Sequence, residues 1–211
     1  MIDMETLLVV AISALGIAAT LRYFFGVKKN RWLGKKMSSQ AESVFAPKDS
    51  EYVNIGGAIG YNFTYKLRDP WKEMKGTFTL FPRHSLIYMP ISLLIGGADR
   101  FFANLYCEKK LAGEGHIVEA RHFRRAKIEG LESMRKQEVS KAGRTFVLLW
   151  RHGDLESALR RTLDQFPNPS ILSHFCCFSE TKSFFIYFKP KSGEIEADLK
   201  AFVQAAPEYF R

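Results

Sequence analysis

From Leu7 to Leu21 the chain runs fifteen residues without a charge, and no other stretch constrains its architecture so tightly. Arg22 interrupts the run, and Tyr23, Phe24 and Phe25 continue its apolar character to Val27. Wound as a helix, Leu7 to Val27 rises about 31 Å, enough to cross the hydrocarbon core of a bilayer. Arg22 falls near one end, where a long cationic side chain can snorkel to the headgroups, and the aromatic triplet falls where an interfacial belt belongs. Ala14 with Ala18 and Gly16 with Thr20 form small-xxx-small pairs of the kind that let helices approach closely.

The flanks of this run differ in charge. Asp3 and Glu5 precede it, whereas Lys28, Lys29, Arg31, Lys35 and Lys36 follow within nine residues. Basic residues near a span stay on the cytoplasmic side. The sequence therefore predicts a single-pass membrane protein with its N-terminus outside and its C-terminal domain cytoplasmic. A cleaved signal peptide carries its positive charge before the apolar run, and here the charge comes after. The segments expected are a short N-terminus (1–6), a transmembrane helix (7–27), a basic juxtamembrane collar and linker (28–51) and one globular domain (52–211). Residues 28–36 of the collar hold five of the nine excess positive charges, and anionic lipid is their expected partner beside the bilayer itself.

Three cysteines, Cys107, Cys176 and Cys177, include an adjacent pair and no CxxC, so a disulfide framework is not predicted and all three read as small buried hydrophobes. Eighteen phenylalanines, many on strand-like runs, predict an aromatic core.

Along the domain, IGYNFTYKL (59–67) alternates aromatic and polar residues with the period of a half-buried strand. GTFTLF (76–81) gives a second strand after the Asp69-Pro70 break, and the two read as a hairpin. Further strands are predicted over RFFANLYC (100–107), HIVEARHF (116–123), RTFVLLWR (144–151) and SFFIYFK (183–189). Asp154 is placed to cap a helix carrying Leu155, Ala158, Leu159, Leu163 and Phe166 on one side. A last helix opens near Ser192-Gly-Glu with Ile195, Leu199, Phe202 and Val203 on one side. Residues 37–51 read as a polar linker or frayed helix. The run MPISLLI (89–95) is too short to span a membrane; it reads as a core helix, with contact at the bilayer surface as its alternative. The fold class expected is α+β: an N-terminal transmembrane helix, then a mostly antiparallel sheet with helices packed on one face.

No catalytic, cofactor or metal residues are assigned. His174, Cys176 and Cys177 match no zinc-ligand spacing, and His116 with His122 lack a third ligand. GxSxG is absent, Gly56-Gly57-Ala-Ile-Gly60 lacks a phosphate-loop pattern, and no GxxxxGK[ST] occurs. Nothing in the sequence argues for an enzyme. A pocket gathering His84, Asp99, His116 or His122 would favour one acting on a lipid or peptide. The strongest surface feature is Lys109 to Arg144, with ten Lys/Arg against five Asp/Glu. Its densest part offers Arg121, Arg124, Arg125 and Lys127 as a candidate contact face, with Phe123 as a stacking residue, for RNA, a ribosomal surface or anionic lipid.

The order of parts also resembles a known family. After the span and a strand come PRHSLIYMPISLLIGGADRFFANLYC (82–107), then ILSHFCCFSE (171–180) and SFFIYFKP (183–190). This is similar to the cytosolic domain of calumin, a coiled-coil-containing membrane protein of the endoplasmic reticulum. The resemblance covers residues 60 to 206 and implies work beside ribosome-bound translocons in membrane-protein biogenesis, with the ribosome or the insertion machinery as partner. It carries over no site residue, and the family's long basic C-terminal helix has no counterpart here. The sequence as a whole reads as a membrane-anchored, non-catalytic binding or accessory protein. A lipid-surface scaffold is a further alternative.

Overall fold

The computed structural model describes residues 3–211. Its first element, α1, runs without a break over Met4–Phe45, 42 residues in all, or about 63 Å at helical rise. Asp3 caps it by accepting a hydrogen bond from Thr6 N at 2.8 Å, and Ala46 ends it in the left-handed conformation. The helix has two unlike halves. Up to Phe25 its large apolar side chains are exposed. Beyond that, Leu33, Met37, Ala41 and Phe45 are buried in the domain core at four-residue spacing. The collar and linker expected over 28–51 is therefore largely helix: the same α1 that carries the apolar run turns its polar half into a packed wall of the domain.

The rest is the α+β domain the pattern predicts, with more strands. Nine antiparallel strands form one sheet in the order β1-β2-β3-β4-β9-β8-β5-β7-β6. They are β1 (Asp49–Asn54), β2 (Gly60–Lys66), β3 (Trp71–Thr79), β4 (Arg100–Cys107), β5 (Glu114–Glu119), β6 (Arg135–Lys141), β7 (Arg144–Arg151), β8 (Leu172–Phe178) and β9 (Ser183–Phe188). The expected hairpin is β2–β3, with Tyr65 opposite Met74.

Three strands escape the hydrophobic pattern, for two reasons. β1 (DSEYVN) and β6 (RKQEVSK) are the two edges of the sheet. Edge strands carry charge, which blocks pairing with another chain, so they show little apolar alternation. β8 (LSHFCCF) is central and buried on both faces, which also removes alternation. The strand expected over 116–123 stops at Glu119, and Ala120–Phe123 form a short helix, α3.

One face of the sheet is covered by α1, α4 (Glu156–Gln165) and α5 (Glu196–Ala205), with α5 between the other two. Against them pack Phe63, Phe78, Phe101, Leu105, Phe175, Phe184, Ile186 and Phe188, all buried. The two predicted helices occur with the predicted apolar sides, but each starts later. Leu155, not Asp154, is the cap residue of α4, with no side-chain hydrogen bond, and α5 begins at Glu196. On the opposite face the segment 120–134 lies over β7, packing Phe123, Ile128 and Met134 on Val147 and Leu149.

The largest departure concerns α2 (Tyr88–Leu94). Of its seven residues only Ser92 is buried. MPISLLI is not a core helix: Ile87, Leu94 and Ile95 are 78%, 88% and 67% exposed, and Tyr88, Ile91 and Leu93 are exposed as well.

Candidate functional site

The exposed apolar residues of α2 gain meaning from their neighbours. The segment 81–97 is fastened to α1 where the apolar half of that helix ends. Tyr23 packs edge-on against His84, ring centroids 5.9 Å apart, and the Arg22 guanidinium donates to Met89 Sδ. Gly26 lies so close that a Cβ there would stand 2.3 Å from the backbone nitrogen of His84. Only glycine leaves room for this approach. Below it, buried Asn30 donates to the Phe81 carbonyl at 2.9 Å and accepts from Arg83 at 3.1 Å. Arg83 grips Asp99 with two parallel bonds of 2.7 Å, and Asp99 also accepts from Phe81 N at 2.9 Å. A forked pair of this kind, with its carboxylate buried, holds geometry tightly. The junction fixes α2 beside the helix at the level where its lipid-compatible surface begins.

The strand register shows what else lies at that end of the sheet. Thr79 pairs with Arg100, Phe101 with Phe188, Leu172 with Phe188, Glu119 with Phe146, and Lys141 with Arg144. Arg100, Lys189, α3 and Arg144 therefore all sit at the end from which α1 departs. Burial holds the Lys189 ammonium below its usual range; Glu119 opposes this, while the cations of Arg100, Arg125 and Arg144 add to it. Arg121, Arg124 and Arg125, exposed on α3 and just after it, extend this basic corner. Lys127 separates from them, lining a cleft toward the far end of the open face with Glu114, Arg151, Glu129 and Glu180. Phe123 is half-buried and packed inward, so it is not free to stack on a base.

The juxtamembrane cations divide too. Lys28, Lys29, Arg31 and Lys35 are exposed along α1, with Lys29 4.1 Å from the Trp32 ring centroid. Lys36 instead pairs with Glu194 and donates to the Ser192 carbonyl at 3.2 Å, tying α1 to the loop before α5. Arg31 and Lys35 form the rim of a cleft of about 260 Å³ floored by Tyr52, Tyr61 and Phe78.

A second constellation lies on the open face of the sheet. His116 on β5 and His174 and Cys176 on β8 alternate with Ile117, Phe175 and Cys177, which point into the helix-covered core. Register sets His116 opposite Cys176 and Val118 opposite His174. His116 Nδ1 lies 3.2 Å from His174 Nε2, and His116 Nε2 lies 3.1 Å from Glu114 Oε1. Arg151 Nε donates to the other oxygen of Glu114 at 2.6 Å. His122 stands beside His174, ring centroids 5.9 Å apart. Burial, reinforced by His116 and His122, pushes His174 down to about 3; burial also lowers His116 against the pull of Glu114. Both rings are thus neutral near pH 7.

One donor atom each from His116, His174 and Cys176 lie within 4.8 Å of one another. The sequence alone assigns no metal ligand, because 58 residues separate the two histidines and only the β5–β8 pairing joins them. His84 and Asp99 belong to the α1 junction instead, and His116 and His122 to this cluster.

Neither a family model nor a curated protein matches the sequence. Among solved structures, the crystal structure of the mycobacterial trehalose monomycolate transport factor A, TtfA, is similar at a TM-score of 0.33 and 9% identity, over 84% of this chain and 92% of that chain. A likeness that loose carries nothing about the activity of this chain.

Proposed function

We propose that this protein is a membrane-anchored, non-catalytic accessory module held flat against the cytoplasmic leaflet at three points. α1 spans the bilayer, with its basic flank kept on the cytoplasmic side by the bias of Lys28, Lys29, Arg31 and Lys35. α2 inserts its apolar side chains beside the span, and the basic corner of Arg100, Arg121, Arg124 and Arg125 faces anionic headgroups. The observation that carries this reading is the exposure of Ile87, Leu94 and Ile95 next to the end of the apolar half of α1. Apolar side chains so exposed in water would be an aggregation liability, and a bilayer beside them removes it.

The test is depth-dependent quenching in the full chain reconstituted into vesicles. Leu94→Cys and Lys182→Cys each receive an environment-sensitive fluorophore; the native cysteines are buried. Lys182 lies on the β8–β9 turn, at the far end of the sheet. Spin-labelled lipid is expected to quench the probe at 94 and spare the probe at 182. Equal, weak quenching at both positions would overturn the inserted α2. Changing Arg121, Arg124 and Arg125 to Glu should weaken the dependence of the quenching on anionic lipid, with the collar cations and Arg100 left to supply the remainder. The ribosome or translocon contact that the calumin resemblance implies would use the same cations. A pull-down from gently solubilised membranes with the Arg124, Arg125 and Lys127 to Glu variant tests it, and undiminished ribosome recovery would exclude this face.

A further inference from the structure

We propose that His116, His174 and Cys176 form a binding site for a zinc-class divalent ion on the open face of the sheet. Nitrogen ligands bind zinc at about 2.0–2.1 Å and thiolate sulfur at about 2.3 Å, so a tetrahedral site separates two nitrogens by about 3.3 Å and nitrogen from sulfur by about 3.6 Å. The two imidazole nitrogens already stand 3.2 Å apart. With all three donor atoms within 4.8 Å of one another, Cys176 Sγ reaches that geometry by a shift of at most about 1.2 Å. Two imidazoles and one thiolate form a donor set suited to zinc.

The surroundings have the form of a built site. Glu114 accepts from His116 Nε2 and is itself held by Arg151, which fixes the His116 tautomer so that the Nδ1 lone pair faces His174. A carboxylate behind a ligating histidine is the usual outer support of a zinc ligand and raises its basicity. His116, His174 and Cys176 are all buried, yet a cleft of about 350 Å³ opens onto His116, walled by Glu114, Glu129 and Glu180 and by Lys127 and Arg151. It gives an ion a solvent path to His116, along which three carboxylates outnumber two cations. Three protein donors leave the fourth position to water or to His122, whose ring lies beside His174.

The step balances simply. The Cys176 thiol gives up one proton to solvent and its thiolate takes the metal; His116 binds through Nδ1, and His174 releases the Nε2 proton it had donated to His116, regains one from solvent on Nδ1 and binds through Nε2. One proton leaves per ion, and no electron moves. Without metal, the same nitrogens keep each other satisfied by the His174-to-His116 hydrogen bond, so the ion-free fold is also self-consistent.

The experiment uses the untagged full chain in detergent, stripped with chelator and titrated with Zn²⁺ and Co²⁺. One equivalent is expected to bind, with calorimetry in buffers of different ionisation enthalpy reading one released proton. Cobalt should give the intense visible bands of tetrahedral coordination and a thiolate charge-transfer band. That band should vanish in Cys176→Ser and persist in Cys107→Ser, while Glu114→Gln should weaken zinc about 10–100-fold. X-ray absorption on zinc-loaded wild-type protein requires no variant to fold: a first shell with one sulfur and at least two nitrogens is expected. No stoichiometric binding, a first shell without sulfur, or a charge-transfer band that survives Cys176→Ser would each overturn the site.

Discussion

The two faces of the sheet share the same nine strands and the same pleat, yet they are made of different chemistry. Under α1, α4 and α5 the strands present Phe63, Phe78, Phe101, Phe175, Phe184 and Phe188, a continuous apolar layer. On the other face β2 and β3 show Asn62, Thr64 and Thr77, while β4 and β9 stack Phe102 on Tyr187 at 4.4 Å. Next to these come His174, His116 and Cys176. The covered face must exclude water along its whole length, so apolar side chains are its one workable solution. On the open face the segment 120–134 forms a partial roof over β7. Polar groups can therefore be buried there in small numbers, provided they satisfy one another, as Glu114, His116 and His174 do. The fold keeps its stability on one side and its chemistry on the other.

That contrast breaks most sharply at Phe184, which lies within 6.4 Å, centroid to centroid, of Trp71, Phe175, Phe202, Tyr209 and Phe210. Phe184→Ala should lower unfolding free energy by about 3–5 kcal/mol. Phe102→Ala on the open face should cost about 1 kcal/mol, chiefly its stacking on Tyr187. Denaturant unfolding of both variants in the same detergent checks this. Equal losses would mean that the open face is packed as a second core.

Asp99→Ala comes next. It removes the carboxylate partner of Arg83, leaving only its bond to Asn30, and strands the Phe81 N–H at the α1 junction, for an expected loss of about 3 kcal/mol. If junction and sheet are independent, that loss should appear as release of α2, read by hydrogen exchange over 81–97, before the sheet melts.

The histidine cluster sharpens the comparison through pH. With His174 held at about 3 in the folded chain and titrating near 6.5 when unfolded, the unfolded state binds more protons at every pH between these values. Stability of chelator-treated protein should therefore fall as pH drops from about 6.5 to about 5, by about 1.4 kcal/mol per unit for this group. His174→Phe should flatten that slope, which thermal melts at each pH would record. Smallest of all, Thr64→Ala on the open face should change stability by no more than about 0.5 kcal/mol.

Much of this was legible in the residues. Tyr61, Phe63 and Tyr65 against Asn62, Thr64 and Lys66 gave β2 its strand and its buried side. The apolar sides of α4 and α5 followed from helical spacing. Other features hid behind polarity. Leu33, Met37, Ala41 and Phe45 carry a four-residue period through a stretch otherwise rich in Lys and Ser, and that period was the available sign that α1 continues. The edge strands β1 and β6 are charged because they are edges, and no hydrophobic pattern exposes them. For MPISLLI the composition was clear and only its surroundings were ambiguous.

By itself, the sequence determined a helix with an apolar half long enough for a bilayer, a basic flank and an α+β domain. Each of these is written in contiguous residues with a fixed period. Tertiary structure alone decided that α2 lies exposed beside α1 and that Arg83 finds Asp99. It also decided that His116 meets His174 and Cys176. Those outcomes depend on which strand pairs with which, and pairing across 58 residues is set by how the whole apolar layer closes.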